Sequence, residues 1–172
     1  MNKIIHRIIK YQKIGRQSFD LHKVREPEVN DYILFSCIDK RIIPNDFTKV
    51  PVGHLYVVRN AGNFVPPYNR GSHEISSEAG AIELAVKRAG IKDIIISGHS
   101  DCRINCLQQS ENVATFPFLR SELLDNSLKI HTLWKELNAV GEDPTLFLFD
   151  INKEKFLKIT EEYSEELTKD LD

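Results

Sequence analysis

The chain has 172 residues, of which 41% are hydrophobic and 28% are charged, a balance typical of a globular domain and not of a disordered chain. No apolar run approaches the roughly eighteen residues that a transmembrane helix needs, so no membrane span is expected. The net charge of -2 provides no general polycation for binding nucleic acid, and three cysteines are too few for a disulfide scaffold. We therefore expect one domain over residues 1–172 with reduced thiols.

The first predicted element is a basic amphipathic helix near the amino terminus. Residues 1–25 carry seven Lys or Arg residues and a single acidic one, and Ile5, Ile8, Ile9 and Gln12 fall on one helical face. This pattern predicts either the first helix of the domain, docked by its isoleucines, or a mitochondrial transit peptide.

The middle of the chain alternates predicted strands and helices. Residues 32–36 form a short apolar run that predicts a buried strand, and residues 55–58 predict a second one. Residues 77–88 predict a helix with Ser77 as its N-cap and a stop at Gly90. Residues 91–97 form the most apolar predicted strand. This order predicts an α/β fold with a mostly parallel central sheet flanked by helices.

Metal-binding side chains follow two of these predicted strands. Cys37 comes directly after the first strand, and His99 and Cys102 follow the strand at 91–97. Ligands bind outside the carboxyl ends of strands in an open parallel sheet, so the three side chains converge if the strands are neighbours. Two thiolates and an imidazole suit zinc and leave a fourth position for water or substrate. The alternative for each thiol, and the favoured one for Cys106, is a packed core position.

Asp39 and Arg41 lie two and four residues beyond Cys37. The Asp39 carboxylate can orient a metal-bound water, and a bidentate contact with Arg41 would keep that carboxylate ionised. The alternative is an ordinary surface ion pair, which contributes little. Arg59 precedes a sharp turn at residues 60–63 and can pair with a carboxylate that the sequence does not identify.

Four motifs in order give this chain a family resemblance. They are CIDKR at residues 37–41, VVRNAGNFVPP at 57–67, EAGAIELAV at 78–86 and ISGHSDC at 96–102. The chain resembles the β-class carbonic anhydrases, especially their animal branch, over core motifs in residues 30–102. The resemblance implies a zinc ion held by Cys37, His99 and Cys102, and reversible hydration of CO₂ to bicarbonate and a proton.

The same resemblance implies further roles and partners. Asp39 and Arg41 would form the catalytic dyad, while Tyr56, Ala61 and Leu84 would line a substrate pocket completed across a subunit interface. A homodimer or higher homo-oligomer is therefore expected. The cysteine ligands favour a reducing compartment, so we expect a mitochondrial or cytoplasmic location.

The part after Cys102 departs from the family pattern. Several dozen residues of a helical segment are expected to be missing there, and residues 103–172 form a shortened, divergent part. It includes late-helix and late-strand sequence at 107–124 and 128–134, and a β-like stretch at 145–159 with a turn near Asn152. Because this part would normally support the site, a catalytically silent zinc-binding variant, acting through oligomerisation or by pairing with a full-length subunit, is the alternative function. A thiol-dependent redox protein is a weaker alternative, since the spacing of Cys102 and Cys106 is not a Cys-x-x-Cys motif.

Overall fold

A computed structural model of the chain describes residues 4, 5, 7, 32–50, 53–69, 76–102, 104–137, 145–160 and 162. Ile4, Ile5 and Arg7 have helical backbone, and both isoleucines are exposed. Ile8, Ile9 and Gln12 of the predicted first helix lie outside the described residues.

Six strands form a single sheet in the order β2-β1-β3-β4-β5-β6. The pairs β1–β2, β1–β3 and β3–β4 are parallel, while β4–β5 and β5–β6 are antiparallel. The mostly parallel sheet that the sequence predicts is therefore confirmed, with an antiparallel hairpin added at one side. The strands are β1 (Tyr32–Cys37), β2 (Leu55–Asn60), β3 (Asp93–His99), β4 (Lys129–Glu136), β5 (Thr145–Asp150) and β6 (Lys155–Lys158).

The predicted strand at 91–97 is shifted by two residues in the structure. Ile91 is 4% exposed and belongs to the core, but it precedes β3 and does not pair with a neighbouring strand. Hydrophobicity indicated which residues are buried, whereas pairing with β1 and β4 decides where the strand begins and ends. As a result, His99 is the last residue of β3 and pairs with Lys135 of β4.

Helices connect these strands. They are α1 (Pro44–Thr48), α2 (Ser77–Glu83), α3 (Cys106–Ala114) and α4 (Arg120–Leu124). Of these, α2, α3 and α4 cover one face of the sheet. A π-helical turn at Leu84–Arg88 extends α2, and Gly90 with φ of 71° follows it, as predicted. The predicted N-cap is wrong by one residue, because Ser76, not Ser77, accepts the hydrogen bond from the Ala79 N–H. None of the described helices is long and apolar enough to cross a membrane.

The hydrophobic core lies between the sheet and α2, α3 and α4. Side chains alternate across a strand, so Ile33, Phe35, Ile94 and Ile96 share the face that packs against these helices. The core residues Ile82, Val113 and Leu119 are completely buried against that face. The opposite face carries His99 and Lys135, which are buried polar residues near the carboxyl ends of their strands.

Candidate metal centre and active site

The structure brings the three predicted metal ligands together. Cys37 ends β1, His99 ends the adjacent strand β3, and Cys102 follows three residues later. The ligand atoms of these three side chains all lie within 4.8 Å of one another. Parallel pairing of β1 and β3 therefore produces the convergence that the sequence predicted, and the cluster can hold a metal ion.

The imidazole of His99 is oriented by its neighbour. His99 is 2% exposed, and its Nδ1 is hydrogen-bonded to the Ser100 carbonyl, which requires Nδ1 to be the protonated nitrogen. The buried Nε2 has no hydrogen-bond partner among the described residues. A buried polar atom without a partner is costly, and a bound metal ion at Nε2 would satisfy it. The donor set therefore fits a metal.

The three thiols fall into two classes. All are free, but Cys37 and Cys102 are partly exposed, whereas Cys106 is 2% exposed. The Cys37 Sγ accepts a hydrogen bond of 3.5 Å from the Asp39 N–H. Burial raises the pKa of the Cys106 thiol, so this group is neutral and packed, as predicted.

Asp39 and Arg41 form a bidentate ion pair beside the cluster. Arg41 Nη2 donates to Asp39 Oδ2 at 2.7 Å, and Arg41 Nε donates to Oδ1 at 3.0 Å. The Arg41 N–H adds a third bond to Oδ1 at 2.9 Å. These hydrogen bonds, chiefly from the Arg41 side chain, hold the pKa of Asp39 well below its usual range. The same pair raises the pKa of Arg41 above its usual value.

Two further contacts of the arginines were not expected from the sequence. Arg41 Nη1 also donates to Asp101 Oδ2 at 2.9 Å, so one guanidinium bridges two carboxylates. Arg59 donates to the backbone carbonyls of Cys37 and Asp39 at 2.9–3.1 Å, and these carbonyls take the place of the anticipated carboxylate. Asp101 could have been suspected only because it lies inside the motif at 96–102 and carries a charge.

Strand β4 supports the residue that orients His99. The Ser100 N–H donates to the Lys135 carbonyl at 3.0 Å, and the Ser100 Oγ accepts from the Leu137 N–H at 2.8 Å. Lys135 itself is 4% exposed and lies with its Nζ 5.0 Å from the centre of the Phe47 ring. Burial lowers the pKa of Lys135. No sequence signal identified Ser100 as a support, because its partners in and after β4 are thirty-five or more residues away.

The predicted pocket residues are dispersed within a single chain. Ala61 directly follows Asn60, the β2 residue that pairs with Cys37. Tyr56 lies on β2 four residues before Asn60, about 13 Å from that end of the strand at the usual rise per residue. Leu84 begins the π-helical turn and is 58% exposed. Their role in a substrate pocket stays a prediction.

The site residues lie within a region that matches a known protein family. A profile of the carbonic anhydrase family matches residues 32–104. The carbonic anhydrase of Helicobacter pylori strain J99 is 31% identical over 171 residues, which cover 87% of this chain and 77% of that protein. Beta carbonic anhydrase 1 of Caenorhabditis elegans is 42% identical over 116 residues, 62% of this chain. The chain spans less than half of the length of this relative and of its Caenorhabditis briggsae counterpart.

Solved structures show the same fold. The β-carbonic anhydrase CcaA matches with a TM-score of 0.73 at 23% identity, covering 92% of this chain and 99% of that one. A tetrameric β-carbonic anhydrase of Sordaria macrospora matches with a TM-score of 0.60 at 16% identity, covering 92% and 98%. The sequence relatives and the shared fold agree with the resemblance of the four motifs. The chain therefore belongs to the β-class carbonic anhydrases.

Proposed function

We propose that this chain is a zinc-dependent carbonic anhydrase that interconverts CO₂ and bicarbonate. The observation that carries this proposal is the convergence of Cys37, His99 and Cys102 beside the Asp39–Arg41 pair. Relatives named as carbonic anhydrases support the reaction, and the ligand types support zinc. We further propose that residues 1–172 act as one domain.

Cys37, His99 and Cys102 would hold the zinc ion through two sulfurs and the His99 Nε2. Three protein ligands leave one coordination position open, which is the arrangement of a catalytic zinc site. The chemistry that bound zinc supplies is the activation of water for attack on CO₂ near neutral pH. The Ser100 carbonyl would keep the His99 ring in the tautomer that binds metal.

Asp39 would act as a hydrogen-bond acceptor and not as a group that takes up and releases protons. Because Arg41 keeps the pKa of Asp39 well below its usual range, the carboxylate stays ionised throughout the neutral range. It can therefore accept a hydrogen bond from a water molecule and orient that water toward CO₂. The proton released by hydration must leave through another group or through solvent.

The substrate pocket would be completed by a second copy of the chain. Tyr56 and Leu84 are 39% and 58% exposed, and β2, which carries Tyr56, is one of the two edge strands of the described sheet. Exposed apolar side chains on an edge strand favour association. We propose a homodimer or a higher homo-oligomer in which Tyr56, Ala61 and Leu84 line the pocket. Size-exclusion chromatography with light scattering tests this, and a monomer at micromolar concentration would contradict it.

Stopped-flow CO₂ hydration by this chain, measured with its zinc content, tests the enzymatic function. We expect one zinc ion per chain and measurable hydration. Cys37→Ser should lose both, because one of three ligands is removed. Cys106→Ala is the matched control, since it removes a thiol that lies outside the cluster and should retain zinc. Full hydration by Cys37→Ser or by chelator-treated protein would refute the proposal.

The second candidate function is a catalytically silent zinc protein. It is supported by the position of the four family motifs, which all lie within residues 37–102, so the residues after them that would hold the site in place carry none of these motifs. Such a protein would act through oligomerisation or by pairing with a full-length subunit. One zinc ion per chain without hydration would select this function over the enzyme. Asp39→Asn distinguishes the two, since it should lower hydration in the enzyme and change nothing measurable in the silent protein.

We propose a mitochondrial or cytoplasmic location, because thiolate ligands persist in reducing compartments. A fluorescent fusion of residues 1–25 would separate the two. Mitochondrial import of the fusion would identify residues 1–25 as a transit peptide, whereas a diffuse cytoplasmic signal would favour a helix of the domain.

A further inference from the structure

We propose that Asp101 is a positioning residue that anchors Arg41 and thereby keeps Asp39 away from the open metal position. The inference rests on the proposed zinc site and concerns how the Asp39–Arg41 pair is held. It assigns a role to a carboxylate that binds neither metal nor substrate.

The anchor is visible in the way Arg41 divides its hydrogen bonds. Its Nε and Nη2 face Asp39, and its Nη1 donates to Asp101 Oδ2 at 2.9 Å. The guanidinium is planar and rigid, so two carboxylates on different edges fix the orientation of the plane. If Arg41 were bound to Asp39 alone, its guanidinium plane would be free to move together with the Asp39 side chain. Asp101 supplies the point of attachment that Asp39 does not provide.

Packing does not supply that attachment. The side chains of Arg41 and Asp101 are 47% and 65% exposed. An exposed ion pair adds little to folding stability, so stability gives no sufficient reason for the Arg41–Asp101 contact. Its consequence is geometric, because it joins the segment after β1 to the segment after β3, sixty residues apart.

The backbone holds Asp101 in a fixed place. Asp101 has φ of 70°, in the left-handed region, and lies in a turn closed by the Cys102 N–H donating to the His99 carbonyl at 3.2 Å. Both ends of this turn are metal ligands. The Asp101 carboxylate is therefore positioned by the same turn that positions His99 and Cys102.

Release of Arg41 would free a competing ligand. Asp39 lies two residues from Cys37, and its N–H contacts the Cys37 Sγ. Carboxylates are ordinary zinc ligands. Without the Asp101 anchor, Asp39 can leave Arg41 and take the fourth position, which would strengthen zinc binding and block the position needed for water. Tighter metal binding with weaker catalysis is the signature of this device, whereas general damage to the site would weaken both.

The experiment measures zinc affinity by competition with a chromophoric chelator, and CO₂ hydration, in the full chain. Asp101→Gly removes the carboxylate and suits the positive φ, so the turn is expected to persist. We expect zinc to bind about tenfold more tightly and hydration to fall by about tenfold, as for loss of a residue that orients a metal site. Asp101→Asn retains size, left-handed backbone and one acceptor, and should give a smaller change in the same directions.

Two control variants keep the result interpretable. Asp39→Asn combined with Asp101→Gly should lose the gain in zinc affinity, because the competing carboxylate is gone. Asp46→Asn removes another exposed aspartate, which pairs with Lys49, and should change neither quantity. Zinc affinity that is unchanged or lower in both Asp101 variants would overturn the role of Asp101. Zinc binding without hydration in the wild-type chain would overturn the proposed enzyme instead, while the affinity comparison would still decide the role of Asp101.

Discussion

The described chain has two halves that contribute differently to the site. Residues 32–102 contain β1 to β3, the three candidate metal ligands and the Asp39–Arg41 pair. Residues 104–160 contain the other three strands, α3 and α4, and contribute none of these site residues. They contact the first half where its backbone would otherwise be unsupported. The chemical groups of the site can therefore be recognised from local sequence, whereas their placement also depends on contacts with residues 104–160.

Four contacts between the halves carry this support. Gln109 and Asn112 bind the backbone of Val65, and a second contact is the packing of Cys106 and Trp134 against Gly98. In the third, β4 and Leu137 hold Ser100. In the fourth, His131 binds Asp93. Each contact can be broken by a single substitution.

Loss of the contacts to Val65 should have the largest effect on stability. Gln109 Oε1 accepts from the Val65 N–H and Asn112 Nδ2 donates to the Val65 carbonyl, both at 2.8 Å in a fully buried position. Gln109→Ala or Asn112→Ala leaves one buried backbone group unpaired, which costs about 1–3 kcal/mol each. Urea unfolding of the metal-free protein measures this loss.

Gln108→Ala is the matched control for the Val65 contacts. Gln108 lies on the same helix, α3, but is partly exposed and, within the described part of the chain, bonds to the side chains of Glu111 and Asn112. Its substitution should change the free energy of unfolding by less than about 0.5 kcal/mol. Equal effects of Gln108→Ala and Asn112→Ala would show that the contact to Val65 does not support the first half.

Gly98→Ala should create a steric clash between β3 and the second half of the chain. A Cβ at position 98 would lie 2.9 Å from both the Cys106 Sγ and Trp134 Cε3. Overpacking of this kind costs about 1–3 kcal/mol. Gly80→Ala is the control, and it should increase stability. No atom lies within 4 Å of its added Cβ, and Ala is favoured over Gly in a helix by up to about 1 kcal/mol. Thermal or urea unfolding should show opposite signs, and destabilisation by both would refute the steric explanation.

Ser100→Ala should weaken metal binding more than folding. The substitution removes the hydrogen bond from the Leu137 N–H and loosens the residue whose carbonyl orients His99. Loss of such an orienting partner lowers metal affinity by about 10–100-fold. Ser110→Ala is the control, since Ser110 bonds to Cys106 and Thr132 in the second half. Zinc competition should distinguish the two variants, and equal affinities would contradict a role for β4 in holding His99.

The sequence predicted the first half well because its signals are local. Apolar runs gave β1 and β2, and the order of Cys37, His99 and Cys102 at strand ends gave the metal cluster. The same logic predicted Arg41 as the partner of Asp39, since only one residue lies between them. Each of these predictions needed only the residue types and their spacing.

The remaining features depend on contacts between distant residues. The limits of β3 follow from pairing with β1 and β4, and Asp101 meets Arg41 only after the sheet has formed. Arg59 could not be assigned, because backbone carbonyls have no sequence signature. Local patterns therefore predict which groups do the chemistry, while the groups that hold them require the assembled fold.

The Asp93–His131 pair should give the smallest and most pH-dependent effect. His131 Nε2 lies 2.7 Å from Asp93 Oδ1 across β3 and β4, and this hydrogen bond lowers the pKa of Asp93. A depressed folded-state pKa stabilises the protein above the unfolded value of about 3.9, and this stabilisation is lost as the pH falls through the lower folded-state value. Asp93→Asn should therefore cost less than about 1 kcal/mol at neutral pH, since the pair is partly exposed.

The difference in unfolding free energy between wild type and Asp93→Asn should shrink as the pH falls below about 4, because Asp93 is then protonated first in the unfolded chain and, at a lower pH, in the folded protein. A double-mutant cycle with His131→Asn isolates the pair, and the coupling between the two sites should follow the same acid dependence. Urea unfolding at several pH values measures both quantities. A coupling that persists undiminished in acid would show that the contact between Asp93 and His131 does not depend on the charge of Asp93.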